Sequence, residues 1–143
     1  MSKPKSLTTT SPPRLTMQGD VRRGTALCIV DSYTFGACDC RDYQRIVVVG
    51  LAPKDLMDGD EVQGLFVTNT VNGILHNAHP GEAYYMDEYG LPRQLHEIPV
   101  GAFLVRLGVA LSPSDLYLQI SYGGRKQSAT SRFMTGARMP PLD

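Results

Sequence analysis

The chain has 143 residues, a length suited to one domain; its 42% hydrophobic content supplies a core, but with no Trp and 8% aromatics that core must be built mainly from Val, Leu and Ile. Fourteen Gly and ten Pro without a collagen-like period favour many turns over long helices. Fourteen basic and fourteen acidic residues cancel, and no stretch approaches the roughly 20 apolar residues of a membrane-spanning helix, so a soluble chain with no membrane partner is expected.

The cancellation hides an uneven distribution. Residues 1–24 carry Lys3, Lys5, Arg14, Arg22 and Arg23 against Asp20; beyond Gly124 stand Arg125, Lys126, Arg132 and Arg138 against Asp143. The acids concentrate between these ends, from Asp31 to Asp115. Basic ends on an acidic body suit nucleic acid or an acidic protein surface. The bases are too sparse for phosphate tracking, so no direct nucleic-acid contact is expected. Cys28, Cys38 and Cys40 make an odd count, and residues 1–14 contain no apolar run of the signal-peptide kind. Reduced thiols in a cytosol-assembled protein are therefore expected rather than a disulfide framework.

Residues 1–18 (MSKPKSLTTTSPPRLTMQ) are rich in Ser, Thr, Pro and Lys and lack periodicity. Alone they bury too little apolar surface to offset their ordering entropy, and they read as an N-terminal arm, flexible or held by a partner. Residues 19–124 read as the domain and 125–143, ending in Met139-Pro140-Pro141, as a C-terminal arm. Within the domain, strand signals recur. Residues 25–30 (TALCIV) form a short apolar run, and residues 45–49 (RIVVV) are the strongest strand candidate. Residues 51–57 have room for one helical turn. Asp58-Gly59-Asp60 marks a turn, followed by a strand over 61–68 bulged at Gly64. Asn72-Gly73 signals a hairpin into Ile74-Leu75-His76. Residues 82–87 pair with 91–95 across Glu88-Tyr89-Gly90, where Gly supplies a positive φ. Phe103, Val105 and Leu107 alternate along a strand, Pro113 presets a turn, and Leu116, Leu118, Ile120 and Tyr122 alternate along the next. Strand signals about ten residues apart imply an all-β fold, a small antiparallel β-barrel or sandwich with extended N- and C-terminal arms.

Chemistry-bearing patterns are few. Cys38-x-Cys40 with His76-x-x-His79 offers four zinc-type ligands, but Cys-x-Cys in a strand puts both thiols on one face for packing alone, and common zinc patterns space cysteines more widely; no metal and no cofactor is expected. There is no G-x-S-x-G, and Cys28 lies in a core-like run, so no catalytic residue is assigned and the chain does not read as an enzyme. Asp58, Asp60 and Glu61 are contiguous at a turn rather than spread over a calcium loop. Gly123-Gly124-Arg125-Lys126 lacks the spaced glycine and the Ser or Thr of a phosphate loop. Tyr84, Tyr85, Tyr89 and Tyr117 suit a sugar-stacking surface or, more simply, a hairpin with alternating core and rim tyrosines.

One pattern is more specific. Val49-Gly50-Leu51-Ala52 leads to Asp58-Gly59-Asp60-Glu61-Val62, then to a Pro80–Leu91 hairpin segment (PGEAYYMDEYGL), then to Gly101–Ser112 (GAFLVRLGVALS) and Leu116–Ile120. This order, over roughly residues 24–122, resembles small capsid decoration (cement) proteins of tailed bacteriophages and the related head-fibre base domains. The two-cysteine stretch 31–43 has no counterpart in that pattern. The resemblance implies a non-enzymatic virion protein on the capsid exterior that binds the assembled shell and bridges neighbouring major capsid proteins. The same reading expects a homo-oligomer, a dimer or a trimer. Arm contacts are then expected from Leu7, Pro12, Pro13, Arg14, Leu15, Arg22 and Arg23. A phage tail or fibre adaptor, or a glycan-binding receptor-recognition module, is the alternative.

Overall fold

The structure is a computed structural model and describes residues 14–127. Among these residues nine strands form two sheets: β1 (Thr16–Met17), β2 (Ala26–Asp31), β3 (Thr34–Ala37), β4 (Gly50–Leu51), β5 (Asn69–Val71), β6 (Ala83–Met86), β7 (Pro92–Arg93), β8 (Phe103–Ala110) and β9 (Leu116–Arg125). The smaller sheet runs β1-β3-β2-β4, with β1 parallel to β3; the larger runs β5-β9-β8-β6-β7, antiparallel throughout. The only helical pieces among the described residues are short 3-10 turns at Tyr43–Arg45 and Leu95–Glu97. The fold is all-β, as the turn-dense sequence implies.

The sheets face each other across the main core. Ala26 and Cys28 of β2 meet Val71, Tyr84, Met86, Val105, Leu107, Leu116 and Leu118 of the larger sheet there. Alternation places Leu27 on the opposite face of β2, where it joins Met17, Phe35, Ala52, Leu56 and Val62 in a second cluster. A strap from Ala52 to Leu65 covers that face. This explains why β2 is a continuous apolar run: near its start both faces are buried, and the alternation of a half-exposed strand is lost. Ile29, beyond the strap, is 59% exposed.

The strap also corrects the N-terminal boundary, because Arg14 to Gln18 belong to the folded body. Met17 is 2% exposed in the second cluster. Its N–H donates to the Asp60 carbonyl at 2.8 Å, and its own carbonyl accepts from Gly59 N–H at 2.7 Å. Asp58 Oδ1 accepts from Gly19 N–H at 2.7 Å, while Asp20 Oδ1 accepts from Asp58 N–H at 2.9 Å. The Asp-Gly-Asp turn is thus a clasp between two loops. At the other end β9 runs through Arg125, and Lys126 N–H donates to the Ala102 carbonyl at 2.8 Å, so the body extends past Gly124.

Four further expectations change. Residues 45–49 are not a ladder strand. Asp42 caps the 3-10 turn through Gln44 N–H at 2.9 Å, and the next donors go singly, Val49 to the Leu27 carbonyl and Val48 to the Tyr122 hydroxyl. Residues 61–68 touch two neighbours by isolated bridges, Glu61 to Thr16 and Phe66 to Leu51, so no ladder accumulates. Asn72-Gly73 does turn, with Gly73 at φ +74, but Leu75 N–H then donates to Ser114 and β5 pairs with β9 instead. The single helical turn within 51–57 is absent, since Leu51 is already in β4 and Leu56 bonds Val21 both ways. The two later hairpins stand where expected: β6 pairs with β7 around Gly90 at φ +78, and β8 with β9 around Pro113.

Candidate functional site: the exposed faces of the two sheets

Of the residues expected to make arm contacts, Leu7, Pro12 and Pro13 lie outside the described residues. Arg14 and Leu15 stand where the chain joins β1. The Arg14 side chain is 78% exposed and reaches Glu61 at 3.7 Å, an ion pair of little energetic consequence in water. Leu15 is exposed, while its carbonyl accepts from Val62 N–H at 2.7 Å. Arg22 is exposed beside a cleft shared with Asp20, Arg45, Glu88 and Tyr89. Arg23 is different. Its Nη1 donates to the Asn72 carbonyl at 2.6 Å, its N–H to Asp55 Oδ1 at 2.9 Å, and its guanidinium sits 5.2 Å from the Phe66 ring centre. Arg23 therefore fastens three loops together, whereas Arg14, Leu15 and Arg22 are presented outward.

The metal-type pairs fall in unlike surroundings. Cys38 and Cys40 are fully buried in the main core with Cys28, and His76 and His79 are exposed. No group of three or more His, Cys, Asp or Glu among the described residues is placed to hold a metal ion. A hydrogen bond with Cys28, with burial added, pushes the Cys38 thiol up; burial, and then Asp39, push Cys40 up to about 11. Burial raises the Asp39 carboxyl, but the hydrogen bonds and charge of Arg41 outweigh it and hold Asp39 below the usual range. Of the four tyrosines, Tyr84 is buried in the main core and its hydroxyl is pushed up by that burial; Tyr85 is half-buried, and Tyr89 and Tyr117 are exposed.

The sequence reading passed over a row on the larger sheet. Tyr85 of β6 stands directly across from Arg106 of β8, which stands across from Ser121 of β9. Register shifts flank this row on both sides, between Tyr84 and Tyr85, Phe103 and Val105, and Arg106 and Gly108. Bulges of this kind re-aim side chains locally. Here they frame a hollow of about 200 Å³ lined by Tyr85, Leu104, Arg106, Ser121, Tyr122 and Gly123. Arg106 Nε is buried and has no hydrogen-bond partner among the described residues. The only signal in the sequence is one arginine inside an otherwise apolar strand.

No helix among the described residues is long and apolar enough to cross a membrane. No protein-family model, curated protein or solved structure matches the chain.

Proposed function

We propose that this protein is a virion structural component that binds the assembled capsid shell from outside and stabilises it by bridging neighbouring major capsid proteins. The observation carrying this reading is the placement of the segments that resemble decoration proteins. PGEAYYMDEYGL forms the β6–β7 hairpin, and GAFLVRLGVALS with Leu116–Ile120 forms β8–β9. The two hairpins join through the β6–β8 pairing into one sheet. These two hairpin segments are thus one structural unit, while Val49–Ala52 and Asp58–Val62 lie in β4 and the strap over the smaller sheet. A two-layer body whose loops are clasped by carboxylates provides rigidity. Arg14 and Leu15 are the outward groups where residues 1–13 join it, and Arg22 is outward at the cleft it shares with Arg45 and Glu88. Repetition over many copies on a shell compensates for modest affinity at each contact.

Co-sedimentation of the full chain with empty capsid shells tests this reading. Binding at a fixed copy number per shell, with a raised temperature of shell disruption, is expected. Deletion of residues 1–13 is expected to abolish binding with the far-ultraviolet circular dichroism of the body retained. The deletion stops at Pro13, because extending it to Gln18 removes Met17 from the second cluster. A folded full chain that ignores the shell overturns the proposal.

A further inference from the structure

We propose that the hollow around Arg106 is a docking site for a single carboxylate side chain, aspartate or glutamate, carried by an acidic segment of another protein. Four observations converge. First, the hollow holds one cation and no acid, and Arg106 has no ion pair among the described residues. Second, its Nε–H is out of water and without a partner among the described residues, an unfavourable state for a buried donor. As it stands Nε is beyond the reach of a water-sized acceptor, so Arg106 meets a carboxylate by turning its edge outward; the Nε–H and one terminal N–H then form a planar edge that matches two carboxylate oxygens.

Third, Gly123 lines the hollow beside Leu104, and a Cβ at 123 would come only into ordinary van der Waals contact, 3.5 Å from Leu104 Cβ. Fourth, the volume of about 200 Å³ is below the roughly 300 Å³ at which sites for drug-sized ligands begin, and suits one side chain. Tyr85 and the 52% exposed Tyr122 supply aromatic walls, and Tyr122 is anchored by its hydroxyl accepting from Val48 N–H at 3.0 Å. Tyrosine and arginine together are the residues that most often dominate protein interfaces. The site does not depend on the capsid reading, since it specifies the chemistry of the partner and not its identity.

The Arg106 Nε–H is directly observable in ¹⁵N-resolved NMR spectra of the full chain. The probes are acetyl-Gly-Glu-Gly-amide, its Gln analogue, and sodium phosphate at matched ionic strength. The Glu peptide is expected to shift the Arg106 Nε–H and the Ser121 and Gly123 amides saturably, with affinity at least about tenfold above the Gln peptide. Equal responses to the two peptides, or none at Arg106, refute the site. A stronger response to phosphate overturns the carboxylate assignment, and movement of the same signals on simple dilution assigns the hollow to a second copy instead. Arg106→Lys keeps the charge but removes Nε; with the remaining spectrum unchanged, it is expected to lose the saturable response, and retained binding also refutes the proposal.

Discussion

Asp87 is a buried carboxylate whose removal tests how the β6–β7 hairpin is held. The residue is 4% exposed. Its Oδ1 accepts the N–H groups of Tyr89 at 2.8 Å and Leu91 at 2.9 Å, and its Oδ2 lies 3.3 Å from Arg93 Nε. One oxygen therefore closes the turn and the other receives the strand that follows it. Asp87→Ala strands two backbone donors, each worth about 1.5–3 kcal/mol when bonded to a charged acceptor. Tyr89, at the exposed tip, recovers part of its loss from water, which leaves a predicted cost of about 3–4 kcal/mol. Asp87→Asn retains a neutral acceptor for both donors and turns its amide nitrogen toward Arg93, losing the ion pair there. The Arg93 side chain is 42% exposed, so that ion pair is screened and its loss is worth about 1 kcal/mol. Urea unfolding separates the two variants. With a slope of about 1.5 kcal/mol/M, the Ala variant drops its midpoint by about 2 M and the Asn variant by less than about 1 M. Equal losses in the two variants would refute the assignment of the hairpin's stability to backbone acceptance.

Three other predictions test the remainder of the fold. Met17→Ala opens the second cluster and is expected to lower unfolding stability by about 2–4 kcal/mol, as a core position does; a loss below about 0.5 kcal/mol would return residues 14–18 to the arm. Gly90→Ala puts a Cβ 2.8 Å from the Ala26 carbonyl at φ +78, whereas Gly59→Ala, at φ +89, meets nothing within 4 Å. Thermal unfolding should show the Gly90 variant losing at least about 2 kcal/mol and the Gly59 variant about 1 kcal/mol, the left-handed strain alone. The raised thiol of Cys40 favours the protonated form in the folded state. Its contribution to stability is complete below the unfolded thiol value of about 8.5 and is lost as pH rises through about 11. Urea midpoints should decline over that interval, less steeply in Cys40→Ala, and all three thiols should react with Ellman's reagent only on unfolding. Rapid labelling of the native chain would contradict their burial.

The elements legible in the sequence are those whose partner is the next segment. β6–β7 and β8–β9 were readable because a turn residue and period-2 alternation occur together, Gly90 between one pair and Pro113 between the other. Residues 45–49 mislead because β-branched composition reports a preference for extended backbone and says nothing about whether a neighbouring strand is free to pair. The Asn72-Gly73 turn was legible, but its continuation was not, since the Ser114 and Pro113 carbonyls capture the N–H groups of Leu75 and Ala78 from 39 and 35 residues away. Among the site residues, Arg14, Leu15 and Arg22 face outward. Arg23 has the same local sequence character as Arg22 yet is turned inward by Asn72, Asp55 and Phe66.

Local pattern carries the all-β class, the turn positions and the two later hairpins, because alternation, glycine conformation and proline geometry act over a few residues. Long-range packing makes β2 covered on both faces, Met17 core rather than arm, and Arg106 the lining of a hollow with no partner for its Nε among the described residues. Each of these depends on which distant segment arrives to cover a given face. That choice is set by packing and hydrogen-bond closure over the whole chain, and no local pattern encodes it.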